Sequence, residues 1–247
     1  VRDSTSYRFF PPFERNVNAN RNRNLGTEYY NIARSLAAGE GFSSPFRTRT
    51  GPTAWSAPVL PFLLAALLWI CDGERDAVMT VVLVLQNGVL AGTGVLVLAM
   101  ARDTLRRLGQ TTAAIVYVIA LISYFHLCFQ TVNDIWLVML IVDLLLAGFC
   151  WFSPLRNLRT AAGWGVFGGV CWLVNPIVGF AWGAWTAQTA WAERAWWRLS
   201  IALLCAGLTV SPWALRCYLV LGRWVPVKSN LAYELYQSQC LQVDGLL

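Results

Sequence analysis

Glu28 stands in the stretch Gly26–Pro61, GTEYYNIARSLAAGEGFSSPFRTRTGPTAWSAPVLP, which carries it directly into the first long apolar run of the chain. A carboxylate held at a membrane surface can act as a base on lipid-borne chemistry. Near the other end lie Arg216, Arg223 and Lys228. Arg grips phosphate oxygens bidentately and Lys acts as a point charge, so these three are candidates for holding a phosphate. Each residue also has a plainer reading. Glu28 suits the first turn of a helix, where the dipole favours an anion, and long cations at a span end snorkel to the interface.

Other polar residues sit within or beside apolar runs. Asp134, after Asn133, opens a run either as an acid facing a cavity or as a helix N-cap. Asp143 lies inside a run, where a carboxylate is expensive unless it faces the bundle interior. Gln86, Asn87 and His126 read first as hydrogen-bonding groups between helices. Asn175-Pro176 interrupts another run, as a kink or as a backbone break bordering a groove.

The elements that must position these residues are membrane helices. Of 247 residues, 57% are hydrophobic and 13% charged, about half the charge of an ordinary soluble domain. Apolar runs near 54–71, 77–101, 111–129, 135–152, 161–191 and 197–215 are each at least roughly 17 to 20 residues long, enough to cross a hydrocarbon core of about 30 Å. The run 161–191 is too long for one upright helix and breaks at Asn175-Pro176, which predicts two short helices or one broken one, and about six or seven crossings in all. Thirteen Trp, many at run ends, fit an interfacial belt. The expected fold class is all-α: a multi-pass transmembrane bundle over 54–215, preceded by a polar loop over 1–53 and followed by an outer loop over 216–247.

Seven Cys without a CxxC pair, most of them inside apolar runs, argue against a disulfide framework or a zinc site. The net charge of +6 is modest and bears on loop orientation, giving no support for a nucleic-acid partner. No signal peptide is visible at the polar N-terminus, and both ends read as cut. Arg102, Arg106 and Arg107, then Arg156 and Arg159, then Arg194 and Arg198 fall on one side by counting crossings, and the positive-inside rule makes that side cytoplasmic. Residues 130–134, Asn175 and the tail after Trp213 then face outward. Residues 1–53 fall inside if both early runs cross fully, and outside if one is re-entrant. Their eight Arg against four acids favour inside.

Local signals predict a short amphipathic surface helix around Glu28. Thr27 can cap it, Tyr29, Ile32, Ala33 and Leu36 form one stripe, and Gly39 or Gly41 can end it in a left-handed turn.

The blocks GTE, IARSLAAGEGFSSPF and TGPTAWSAPVLPFLLA, then LVNP at Leu173–Pro176, then SPWALRCYLVLGRWVPVKSNLAYEL from Ser211 to Leu235, occur in one order across most of the chain. Together they resemble a bacterial branch of the C-type membrane glycosyltransferase superfamily, relatives of protein mannosyltransferases and aminoarabinose transferases. The resemblance implies transfer of a sugar from a polyprenyl-phosphate carrier to an acceptor of unknown kind at the outer face of the bacterial plasma membrane, usually with inversion. Glu28 matches the acidic residue of the family's first outer loop, without the second acid of its Asp-Glu versions. It would serve as general base or help hold a divalent cation, Mg2+ or Mn2+. Arg216 holds the family's motif position and, with Lys228 and Arg223, would bind the carrier phosphate; Cys217 stands where relatives often have Asn. Tyr29, Asp134, Asn175 and Asn230 are candidates for the substrate cavity. A carrier-binding transport protein and a truncated paralogue without activity are the alternatives.

Overall fold

The computed structural model describes residues 27–46, 48–104, 107–123 and 133–230. Over these the chain forms eight helices and no strand: α1 (Thr27–Ala37), α2 (Val59–Ile70), α3 (Arg75–Thr104), α4 (Arg107–Ser123), α5 (Ile135–Trp151), α6 (Leu158–Val174), α7 (Pro176–Ala192) and α8 (Trp196–Leu221). The predicted all-α class is correct. His126 lies outside the described residues.

Among the described residues two helices are long and apolar enough to cross a membrane: α3 over Arg75–Arg102, and α8. Only 28% and 22% of their apolar windows are buried, so neither is packed like the core helix of a soluble fold. Helices α4 to α7 have 17 residues each, about 25 Å at 1.5 Å per residue. α2 has 12, about 18 Å, and falls short of a core of about 30 Å. The expected crossing over 54–71 is therefore corrected: the helix begins only after Pro58, and residues 54–58 belong to the preceding loop.

The chain divides into two compact units. The first holds the described residues up to Gln86, Asn133–Asp134, and those from Cys217 onward. Here α1 packs along α2, burying Ile32 and Ala33 completely. Its end is a Schellman turn: Gly39 takes φ +76°, its N–H donates to Leu36 O, and the next N–H, of Glu40, donates to Ser35 O. The chain then doubles back through a bridge between Ser43 and Pro52, with Ser44 N donating to Gly51 O and Thr53 N to Phe42 O.

The second unit holds Asn87–Ser123 and Ile135–Arg216 among the described residues. Here α6 and α7 form an antiparallel hairpin reversing at Asn175. Trp164 Nε1 donates to Thr186 Oγ1 at 2.9 Å, Gly168 lies against the Trp182 ring, and Gly179 lies against Trp172. These pairs step outward symmetrically from the turn. Gly165 and Gly169 face Ala202, Ala206 and Thr209 of α8, a small-residue seam of the kind that lets helix backbones approach in lipid. Arg198 donates to the carbonyls of Leu155 and Arg156, tying the α5–α6 turn to the start of α8. The Arg156 and Arg194 turns thus share one end, as the charge count predicts for these two.

α8 does not stop where the sequence suggests. Pro212 removes the N–H that would bond Leu208 O, but Ser211 Oγ donates to that carbonyl at 2.9 Å. With that acceptor satisfied the helix continues to Leu221, so the outer loop expected from residue 216 begins later.

Candidate functional site

The first turn of α1 carries Glu28, half-buried. Its Oε2 accepts a hydrogen bond from Trp55 Nε1 at 3.0 Å, joining residues 27 positions apart. The Trp55 backbone is fixed by its own N–H donating to Thr53 Oγ1, and its ring packs edge-on against Phe46 at 5.0 Å. One carboxylate oxygen is therefore oriented by a rigid indole.

The residue before Trp55 makes the second connection. Ala54 O accepts from Ser229 N at 2.8 Å, and Val227, buried, anchors the returning segment. The first polar loop and the segment after α8 thus meet at Ala54-Trp55. Lys228 and Asn230, both half-buried, flank Ser229 and are brought to this junction. Arg223 is exposed just beyond α8, where Gly222 ends the helix with φ +62°. No family model matches the chain, and no curated protein and no solved structure does either.

The remaining predicted residues fall as follows. Arg216 lies inside the last turns of α8, half-buried, with its guanidinium 5.2 Å from the Trp213 ring centre, and belongs to the second unit. Its expected place in a loop is corrected for the reason given at Pro212. Asn175 is in the second unit too, where its side-chain oxygen accepts from Ile177 N and caps α7. It is the reversal point between two complete helices. Asp134 immediately precedes α5, the N-cap position, and Tyr29 is half-buried on α1. Asp143 is buried within α5.

Arg34, Arg75 and Asp76 are the charged groups acting on Tyr30 of α1. Arg75 sits 5.9 Å from the centre of the Tyr30 ring. Burial pushes the Tyr30 phenol above its ordinary value, with Arg75 and Arg34 pulling it back. Among the described residues no three His, Cys, Asp or Glu side chains converge as a metal group. Glu28 offers one carboxylate, so a hard cation bound there would need most of its oxygens from substrate phosphate and water.

Periodicity did not reveal Trp55. Its role rests on a contact between a helix and a loop distant in sequence. The α6–α8 seam was written in the spacing Gly165-x3-Gly169 and Ala202-x3-Ala206, a signal that small residues four apart carry on their own.

Proposed function

We propose that the chain is a multi-pass glycosyltransferase of the bacterial plasma membrane, moving a sugar from a polyprenyl-phosphate carrier to an acceptor at the outer face. The supporting observation is the junction at Ala54-Trp55, where Trp55 orients Glu28 and Ala54 holds the segment bearing Lys228. A base for the incoming hydroxyl and a cation for the departing phosphate then share one neighbourhood.

The same junction bears on sidedness. A hydrogen bond between the first loop and the segment after α8 supports a common side for both, and the charge count favours the outside for that segment. A short α2 fits this arrangement, because one early run then fails to cross.

In the proposed reaction an acceptor hydroxyl oxygen attacks the anomeric carbon and Glu28 takes its proton. The bond from that carbon to the phosphate oxygen breaks, and the carrier phosphate leaves with the electron pair. Lys228, with Arg223, would stabilise that charge. Glu28 would help hold Mg2+ or Mn2+, whose chemistry would be charge neutralisation.

The test is release of polyprenyl phosphate from a panel of polyprenyl-phosphate sugars by the chain in lipid, beside Glu28→Gln. Release that the substitution abolishes is the expected result. A folded chain that binds the carrier yet releases nothing from any donor would overturn the proposal.

A further inference from the structure

Between α1, the loop after it and the end of α2 lies a cavity of about 430 Å³, to which Leu68 and Gly73 also contribute, within the size range of small-ligand sites. Tyr30 and Arg34 on the helix and Ala38 just after it, spaced four apart, form one wall with Asn31 and Ser35 beside them. The opposite wall is the loop that follows the Schellman turn, including Ser44, Phe46 and Arg49. Asn31 Nδ2 donates to Pro45 O at 3.1 Å and ties this loop to the helix, so the cavity is built by both elements.

Its charge is unbalanced. Arg49 is paired with Glu40 at 2.9 Å, whereas Arg34, exposed at the wall, has no ion pair among the described residues. The remaining polar lining consists of hydroxyls, an amide and the phenol of Tyr30, groups that suit a hydroxylated ligand. The cavity also touches the candidate base indirectly. Phe46 lines it and packs on Trp55, which donates to Glu28. A ligand filling the cavity would press on that chain of contacts.

We propose that this cavity binds a phosphorylated saccharide head group belonging to the acceptor, with Arg34 as its principal anion contact. The inference rests on the transferase reading for the word acceptor; the binding of an anionic saccharide stands without it.

Binding is measured directly, without turnover, on the full chain in nanodiscs of neutral lipid, with mannose 6-phosphate, mannose and inorganic phosphate as probes. A parallel arm uses discs doped with phosphatidylglycerol. Mannose 6-phosphate is expected to bind at least about tenfold more tightly than mannose or phosphate alone, since it engages both the cation and the hydroxyl lining. Arg34→Gln should weaken it about tenfold. Glu40→Gln, which releases Arg49, should strengthen it, the opposite of what loss of a merely structural ion pair would do. Equal affinity for mannose and mannose 6-phosphate, or no effect of Arg34→Gln on a folded chain, overturns the proposal. Loss in doped discs of the mannose 6-phosphate binding seen in neutral ones would assign the cavity to a lipid phosphate and overturn the saccharide occupant. Binding without carrier release would leave the cavity assigned and remove the transferase reading; release without binding would do the reverse.

Discussion

The α1–α2 region and the α5–α8 region are held by different physics. In the first, elements far apart in sequence are joined by polar contacts: Trp55 to Glu28, Ser229 to Ala54, Asn31 to Pro45. In the second, beside the hydrogen bonds of Trp164 to Thr186 and of Arg198 to the Leu155 and Arg156 carbonyls, the close approaches are glycines against rings and backbone. Gly148 meets Trp164, Gly168 meets Trp182, and Gly165 meets Ala202. The hydroxyls of Thr186, Thr189 and Thr209 donate back to carbonyls one turn earlier, as they can in lipid without exposing backbone. A region built of polar contacts between loops can present reactive groups to a ligand. One built of glycine seams supplies rigidity, and substitutions should separate rate from stability along that line.

The largest separation is expected at Glu28. Glu28→Gln keeps an oxygen that can accept from Trp55, so unfolding in detergent should be unchanged. Carrier-phosphate release should fall by about 10²–10⁴, the range for loss of a general base. An equal loss of stability and rate would erase the contrast between the regions.

The converse is expected at Gly165. A Cβ there would meet the carbonyl oxygen of Ala202, a backbone atom that cannot rotate away. Gly165→Val should cost about 3 kcal/mol of stability in detergent unfolding, at the upper end of overpacking effects. Release per folded molecule should stay near wild type. A variant as stable as wild type would mean that the α6–α8 seam is not a packing constraint.

A smaller and sharper effect belongs to Trp55. Trp55→Phe keeps an aromatic ring for Phe46 and removes only the N–H given to Glu28. A catalytic group that loses its orientation loses rate, so turnover should drop roughly tenfold with little change in KM for the carrier. A matching rise in KM would move Trp55 from positioning the base to binding the substrate.

These contrasts follow what could be read from the chain. The α1 helix was legible because its stripe and its glycine stop lie within one local segment, and Ile32, Ala33 and Gly39 fall where the pattern puts them. The α6–α7 break was legible at Asn175-Pro176 because proline lacks the donor that an uninterrupted helix would need. The end of α8 was not. The apolar run stops at 215, yet the helix goes on to Leu221, with Ser211 Oγ bonding the Leu208 carbonyl that Pro212 leaves without its N–H. α2 was overextended because composition counts apolar residues, whether or not they are helical. The junction at Ala54-Trp55 lay beyond reach, since no period links position 28 to 55, or 54 to 229.

The smallest effect concerns pH and is confined to the α1 region. Burial raises the Tyr30 phenol, so the folded chain holds that proton more tightly than the unfolded chain. The contribution is fully present below the ordinary tyrosine value of about 10 and is lost as pH rises through the higher folded value, because the unfolded state then releases the proton first. Wild type should therefore lose stability in this window relative to Tyr30→Phe, and tyrosinate absorbance should show one phenol titrating late. Arg75 and Arg34 oppose the shift, which keeps the effect small. The glycine contacts of α5–α8 involve no phenol, so protection of amide hydrogens there should hold through the same range while that of α1 declines. Equal slopes for wild type and Tyr30→Phe would show that this phenol is not held apart from water, and the α1 cavity would lose one of its walls.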